Sequence, residues 1–260
     1  MLGTQGISRA QPVPADGAAS QSVANPAQQS LPSPGAAADG AQNIGRLSID
    51  TNAACELRIG GAPQIPVLMP GAPRSVMVPP GETVIECAST TVREAALKKV
   101  VAIAAGGNQD IALDVAALVV AASCAGKPAT LADLGNGTLR HCVTRLDWTE
   151  SDSGSGGMIW DDARAWCAKK GAGWRLPTPD ELTELIDRSG RSQTACNKHT
   201  CNVSPRFKLT SPLVWSNQVT GPGMAMLLNL MLGGRHPTGQ ESNFDYHALC
   251  LRHSSEKENQ

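Results

Sequence analysis

Three residues of the sequence have the types and spacing of a small metal site. Cys196, His199 and Cys201 lie close together in the chain, and thiolate and imidazole groups are common ligands of zinc. A structural zinc ion needs four ligands, and no second closely spaced pair supplies the rest. A disulfide-closed or ordinary loop is therefore favoured over zinc.

Oxygen donors occur near the end of the chain. Glu241, Asn243 and Asp245 are spaced two apart, which on a strand would place them on one face. A calcium ion takes about six to eight oxygen ligands, so three donors leave its coordination shell incomplete. We therefore predict no metal ion and no cofactor.

The larger group of polar side chains falls within residues 215–247, and we predict that it binds a ligand, because arginine and tyrosine often anchor interfaces. The predicted ligand-binding residues are Asn217, Gln218, Arg235, His236, Asn243, Asp245, Tyr246 and His247. The alternative is a solvated rim with Tyr246 half-packed. No nucleophile–histidine–acid set and no phosphate loop stands out, so we predict no catalytic residue and no enzymatic activity.

Two helices joined by a corner must position these residues. Trp160, Ala163 and Cys167 recur at the spacing of one helix face. The second helix begins at Thr178, which is a good N-cap, and Glu181 completes a capping box. The apolar run over 224–232 predicts a core strand, with a hydrophobic patch for a partner as the alternative.

Four motifs in order resemble the Lcl C-terminal domain family, a set of bacterial C-type-lectin-like domains named after a collagen-like adhesin. They are GNGTLRHCVTRLDW (Gly135–Trp148), WRLPTPDEL (Trp174–Leu182), VWSN (Val214–Asn217) and LCLR (Leu249–Arg252). The resemblance covers about residues 130–253 and implies an α+β domain that presents ligand-binding loops. Two positions depart from the family: Ile159 stands where a hydroxyl residue is usual, and Arg145 stands where glycine is usual.

The sequence has eight cysteines, an even number, so all of them can pair in four disulfides. The resemblance implies that Cys167 on the first helix pairs with Cys250 on the last strand. The other expected pairs are Cys55–Cys87, Cys124–Cys142 and Cys196–Cys201. Eight cysteines allow about 105 connectivities, and buried free thiols in a cytosolic protein remain the alternative. Disulfides would imply an oxidising compartment.

The first half of the chain has a different composition, because all eight aromatic residues lie after residue 147. Two independent cores are therefore expected. Alternating strands such as CELRI, with a VPPGETVI turn, resemble a PEGA-type β-sandwich, which implies spacing or docking. We predict a strand for Ala96–Ala104. The full prediction is a disordered Ala/Pro/Ser/Gln-rich tether over 1–44, the sandwich over 45–120, a linker over 121–134, the lectin-like domain over 135–253 and a tail over 254–260.

Charge and hydropathy argue against a nucleic-acid-binding protein and against a membrane-spanning segment. A net charge of −1 gives no basic footprint for nucleic acid, and no apolar run is long enough to span a bilayer. The N-terminal residues MLGTQGISRA lack the apolar region of a signal peptide, so the oxidising compartment requires a signal or a membrane or lipid anchor upstream. We expect a periplasmic, outer-membrane-associated or secreted recognition protein for a protein or glycan at the cell surface. The alternatives are a structural accessory of an envelope or secretion assembly and a formylglycine-generating-type oxidase.

Overall fold

The computed structural model describes residues 44–126 and 131–254, which belong to one compact unit. The predicted tether, apart from Ile44, and the predicted tail after Ser254 lie outside the described residues. The fold is mostly β, with three helices in the part of the chain that is described. None of these helices is long and apolar enough to cross a membrane.

Two sheets form the first half of the described chain. Their seven strands are β1 (Gly45–Thr51), β2 (Cys55–Ile59), β3 (Ala62–Leu68), β4 (Arg74–Val78), β5 (Gly81–Ser89), β6 (Ala96–Ile103) and β7 (Asn108–Leu113). One sheet has the order β4-β1-β7 and the other β3-β2-β5-β6. The expected strand at Ala96–Ala104 is confirmed as β6.

Alternation of apolar and polar residues explains how these sheets pack. Leu47 and Ile49 on β1, and Ile85 and Cys87 on β5, are fully buried, because side chains two apart point to the same face of a strand. The inner faces of both sheets share one core that contains no aromatic residue. The core has no aromatic residue, as the composition predicted, and it also includes Ala132 and Leu134 from the second half. The division into independent domains and the PEGA-type classification remain predictions.

Helix α1 (Val115–Cys124) follows the sandwich. Asp114 caps it, since its Oδ1 atom accepts a hydrogen bond of 3.1 Å from the backbone N–H of Ala117. The segment 121–134 was predicted as a linker, but it contains the end of α1 and strand β8 (Leu131–Asp133); residues 127–130 are not described. The sequence did not reveal this helix, because the residues on all of its faces are apolar and no helical periodicity of apolar and polar residues results.

The second half contains two four-stranded sheets and a hairpin. Their strands are β8, β9 (Thr138–His141), β10 (Leu146–Thr149), the hairpin β11 (Thr194–Cys196) and β12 (His199–Cys201), β13 (Leu213–Gly221), β14 (Met224–Asn229), β15 (Arg235–Gly239), β16 (Tyr246–His247) and β17 (Leu251–His253). The sheet orders are β17-β10-β9-β8 and β15-β14-β13-β16. The predicted core strand within 224–232 is confirmed as β14, since Ala225, Leu227 and Leu228 are buried.

The two predicted helices form as expected. Helix α2 covers Trp160–Ala168 and lacks a side-chain cap at Ile159, while α3 covers Pro179–Glu184. The capping box is complete: Thr178 Oγ1 accepts from the N–H of Glu181 at 3.1 Å, and Glu181 Oε2 accepts from the N–H of Thr178 at 2.7 Å. Arg175 in the corner donates to both carboxylate oxygens of Glu181, at 2.8 and 2.6 Å.

All eight cysteines form disulfides, and the four expected pairs are confirmed: Cys55–Cys87, Cys124–Cys142, Cys167–Cys250 and Cys196–Cys201. Cys250 directly precedes β17 rather than lying within it. Arg145 adopts a left-handed backbone with φ +57°, a conformation that glycine adopts most easily. The departure from glycine noted in the sequence thus falls at a position where glycine would be unstrained.

Candidate ligand-binding surface

The predicted ligand-binding residues lie on three strands and one loop. Arg235 and His236 lie on β15, whereas Tyr246 and His247 form β16, and these strands are opposite edges of the same sheet. The cross-strand row runs from His247 through Val214 and Leu228 to Arg235. Three strand spacings separate the ends of this row by about 14 Å, so the structure does not bring the predicted residues into one patch.

Arg235 already has a structural partner. Its Nη2 atom donates to Asp180 Oδ1 at 2.5 Å and to Thr183 Oγ1 at 3.1 Å. These contacts join β15 to helix α3. His236, the next residue, is exposed on the same edge strand. Arg235 thus links two elements at the surface, and both Arg235 and His236 are exposed.

Asn217 and Gln218 are exposed on β13. The backbone N–H of Asn217 donates to the carbonyl of Pro177 at 2.8 Å, which fixes this part of β13 against the corner between the helices. Asn217 borders a groove of about 450 Å³ that is also lined by Arg164 and Arg175. Both arginines already pair with carboxylates, on Asp161 and Glu181 respectively.

Tyr246 is half-buried and packs edge-on against Trp215, with ring centroids 5.3 Å apart. Trp215 is fully buried, and its Nε1 atom donates to the carbonyl of Met158 at 2.8 Å. The half-packed position considered as the alternative for Tyr246 is the one that the structure has.

His247 is buried, with 1 % of its surface exposed. Its Nδ1 atom lies 3.0 Å from Thr210 Oγ1 and 3.4 Å from Asp152 Oδ2, and its Nε2 atom lies 3.2 Å from Asp245 Oδ1. Burial lowers the pKa of His247, but the hydrogen bond and negative charge of Asp152, together with the charge of Asp245, outweigh it, so the net pKa is raised.

Asp152 is the buried hub of this cluster, and sequence reasoning missed it. Its carboxylate accepts hydrogen bonds from Thr210 N at 2.6 Å, Thr210 Oγ1 at 2.8 Å and Gly154 N at 3.0 Å. Burial raises the pKa of Asp152, but His247 and these donors outweigh burial and lower it. The glycine- and serine-rich insert Ser151–Gly157 has a composition that predicts a flexible loop, yet this carboxylate ties it to Thr210 and His247.

The loop that carries Asn243 and Asp245 also presents Phe244, which has 77 % of its surface exposed. This loop rests on Gly157. A Cβ atom on Gly157 would overlap the carbonyl oxygens of Phe244 and Asn243, so only glycine permits the contact. A lone phenylalanine among polar residues gave no signal in the sequence, because its exposure depends on the path of the loop.

No group of three or more His, Cys, Asp or Glu side chains within residues 44–126 and 131–254 is arranged to hold a metal ion. Cys196 and Cys201 are bonded to each other, so neither sulfur is a thiolate that could bind zinc as the alternative required. The oxidase alternative needed a reactive pair of cysteines, and every cysteine of the chain is in a disulfide.

In the second half of the chain, Cys167 is bonded to Cys250, and the WRLPTPDEL corner lies between α2 and α3. The corner is one of the motifs on which the sequence resemblance to a known family was based, and the disulfide is the pair that this resemblance implied. Residues 137–252 match the Lcl C-terminal domain. The match covers the region where the four sequence motifs predicted this domain, and that prediction is confirmed. The Lcl C-terminal domain thus contains the hub Asp152, the cluster around His247 and the loop of Phe244. No curated protein matches the chain.

Proposed function

We propose that this chain is a non-enzymatic recognition protein of the bacterial cell envelope or extracellular space. Its Lcl C-terminal domain, with a C-type-lectin-like fold, binds a protein or glycan ligand. Four disulfides support a periplasmic, outer-membrane-associated or extracellular location, because such bonds persist in oxidising compartments.

One observation carries the proposal: an exposed aromatic side chain stands on a loop whose position is fixed. Phe244 projects into solvent between the exposed residues Asn243 and Asp245. Aromatic side chains are enriched at protein interfaces, and a preordered loop reduces the entropy lost on binding. The ligand-binding surface is therefore the loop Glu241–Asp245, and the predicted residues Asn243 and Asp245 flank its aromatic anchor.

The remaining predicted residues have supporting positions in this proposal. Tyr246 and His247 hold the base of the loop, and Arg235 braces the opposite edge of the sheet against α3. Asn217, Gln218 and His236 are exposed and would contact only a ligand large enough to extend across the sheet. A folded protein or a polysaccharide has that size, whereas a single monosaccharide does not.

The experiment compares Phe244→Ala with Leu232→Ala, since Leu232 is another large apolar residue with a similar exposure, 85 %, on a different turn. Labelled full-length protein would be applied to a glycan array and to immobilised proteins from the envelope of the native cells. We expect Phe244→Ala to lose at least about tenfold in affinity, the effect of a modest hot spot, and Leu232→Ala to keep wild-type binding. Equal binding by all three proteins would show that this loop is the wrong surface.

A structural accessory role is the second candidate, and one feature of the first sandwich favours it. Ile65, Met77 and Val100 are large apolar residues with more than half of their surfaces exposed, at 88 %, 63 % and 57 %. They lie on β3, β4 and β6, so a docked protein could contact an apolar residue on either sheet. This role would be favoured if one envelope protein co-purified with the wild-type chain but not with Met77→Ser. The wild-type chain would also give no signal on the glycan array.

A further inference from the structure

His247 lies between two carboxylates that come from different segments of the Lcl C-terminal domain. Its Nδ1 atom is 3.4 Å from Oδ2 of Asp152, in the insert Ser151–Gly157, and its Nε2 atom is 3.2 Å from Oδ1 of Asp245, in the loop Glu241–Asp245. The ring of His247 is buried, whereas 46 % of the side chain of Asp245 is exposed. One titratable side chain therefore bridges the insert and the loop.

The hydrogen bonds around Nδ1 determine which nitrogen of His247 titrates. The hydroxyl of Thr210 lies 2.8 Å from Asp152 Oδ1 and 3.1 Å from the carbonyl oxygen of Gly154. Both of those oxygens accept, so the hydroxyl hydrogen is used there. Thr210 Oγ1, 3.0 Å from Nδ1, therefore accepts from the ring. Nδ1 keeps its proton in both states of His247, and Nε2 is the nitrogen that gains or loses one.

The contact between Nε2 and Asp245 changes sign with this proton. In the charged ring an N–H group faces the carboxylate, and the imidazolium ion attracts both Asp152 and Asp245. In the neutral ring a lone pair of Nε2 faces Asp245 Oδ1, and no other described residue makes a hydrogen bond to Nε2. The two carboxylates then repel each other without a cation between them. Asp245 is exposed enough to turn away into solvent.

Asp152 and Asp245 are the charged groups that act on His247 within the described residues. Burial lowers the pKa of His247, but the hydrogen bond and charge of Asp152, with the charge of Asp245, outweigh it and raise the pKa above its ordinary value of 6.5. The rest of the depression beside the ring has an uncharged lining: Ser155, Gly156, Asn197, Leu209 and Thr210. The neighbour of His247 on β13, Val214, is apolar.

The loop that Asp245 belongs to is the one that presents Phe244. This loop rests on Gly157 of the insert, where a Cβ atom would overlap its carbonyl oxygens. His247 thus joins electrostatically two segments that are already in contact. Ser211 Oγ donates to the backbone carbonyl of Asp245 at 2.6 Å, a contact without a titratable group. The base of the loop is therefore held at every pH, and the residues before Asp245 depend on the side-chain contact.

We propose that His247 is a pH-sensitive clamp: its imidazolium ion holds the loop Glu241–Asp245 against the insert, and loss of the Nε2 proton releases the loop. A group whose pKa is raised by folding stabilises the closed arrangement below its ordinary value of 6.5, and this contribution is lost as pH rises through the folded pKa. The effect of the clamp on ligand binding rests on the proposed function, whereas the release of the loop does not.

The test follows amide hydrogen exchange of the full chain by NMR across the titration of the His247 ring, which its own resonances report. Protection factors, corrected for the pH dependence of intrinsic exchange, are read at the amides of Ser242 and Tyr246, which donate to the carbonyls of Gly239 and Phe244. The midpoint of the His247 titration is expected above 6.5. Protection of Ser242 is expected to fall at least about threefold through that midpoint, which corresponds to about half a pKa unit of coupling.

Asp245→Asn distinguishes the clamp from a general effect of pH. The asparagine side chain donates to a neutral Nε2 and accepts from a protonated one, so the contact persists in both states. We expect this variant to lower the pKa of His247 and to lose the pH dependence of loop protection. Glu241→Gln is the matched control, because Glu241 is an exposed carboxylate of the same loop that is not among the groups acting on His247. It is expected to behave as wild type does.

The clamp would be overturned by wild-type loop protection that is the same below and above the titration of His247. A wild-type pH dependence retained in Asp245→Asn, or a His247 midpoint at or below 6.5, would also overturn it. An intact loop response in a chain that binds no glycan and no envelope protein would support the clamp and contradict only the proposed function.

Discussion

Cys250 is bonded to Cys167 at the point where the last strand meets both β10 and the corner between the helices. The carbonyl of Cys250 accepts from Thr149 N at 2.9 Å, and its N–H donates to Thr149 Oγ1 at 3.2 Å. The next residue, Leu251, exchanges two backbone hydrogen bonds with Arg175, of 2.9 and 3.0 Å. The disulfide thus joins α2 to a segment that already connects two parts of the domain.

Removing this disulfide should cost more stability than removing the short one. The cysteines of Cys167–Cys250 are 83 positions apart and those of Cys196–Cys201 are 5 apart. The chain-entropy relation assigns them about 4.5 and about 2 kcal/mol. We expect the double variant Cys167→Ala/Cys250→Ala to unfold at lower urea concentration than Cys196→Ala/Cys201→Ala. The reverse order would mean that native-state contacts outweigh chain entropy here.

Replacing Asp147 should destabilise the domain strongly. Its side chain is fully buried on β10, where Oδ1 accepts from Arg140 Nε at 2.6 Å and Oδ2 lies 3.3 Å from Arg252 Nε. Asp147→Ala would remove one partner of the buried ion pair with Arg140, a change that typically costs about 3–5 kcal/mol. Urea unfolding measures the loss. The control is Asp161→Ala, whose ion pair with Arg164 is exposed and should change stability by less than about 1 kcal/mol.

Gly157→Ala should disturb the loop of Phe244, since the new methyl group would overlap two carbonyl oxygens of that loop. Overpacking of this kind costs about 1–3 kcal/mol. We expect faster amide hydrogen exchange in residues 241–245 and weaker ligand binding. Gly221→Ala is the matched control, because a Cβ atom there meets nothing within 4 Å. If Gly157→Ala exchanged as slowly as Gly221→Ala, the loop would not depend on this contact.

The start of α3 should weaken in acid. Burial raises the pKa of Glu181, but the hydrogen bonds and charge of Arg175 and the N–H of Thr178 outweigh it, so the pKa falls below its ordinary value of 4.5. A group whose pKa is lowered by folding stabilises the protein above its unfolded pKa, and this contribution is lost as pH falls through the folded pKa.

The stability difference between wild type and Glu181→Gln, measured by urea unfolding at a series of pH values, should therefore be constant above the ordinary value and shrink as pH falls below it. Exposed Glu184→Gln on the same helix is the control. A wild-type advantage over Glu181→Gln that persisted unchanged in strong acid would contradict the ion-pair account.

Local signals were sufficient to predict much of the fold. The capping box at Thr178 and Glu181 depends on residues three apart, and the buried face of α2 follows from helical spacing, so both were visible in the sequence. Helix α1 was missed because its apolar residues have no periodicity. The left-handed Arg145 could be noticed only because glycine is usual at that position in the resembling family.

The surface was harder to predict, because it depends on contacts between distant segments. Asp152 and His247 are 95 positions apart, and nothing in the glycine- and serine-rich insert showed that its aspartate would be buried. Arg235 and His247 are close in sequence, yet the strand order β15-β14-β13-β16 places them on opposite edges. Pairing order of strands is a property of the whole sheet, which residue types alone do not reveal.

The central claim is that a disulfide-stabilised scaffold, formed outside the cytosol, holds the loops of the Lcl C-terminal domain in place for a ligand. Peptide mapping by mass spectrometry without reduction, on protein isolated from its native cells with free thiols blocked at lysis, tests it most directly. We predict a linked peptide pair that contains Cys167 and Cys250. Recovery of both cysteines as blocked free thiols would contradict the account.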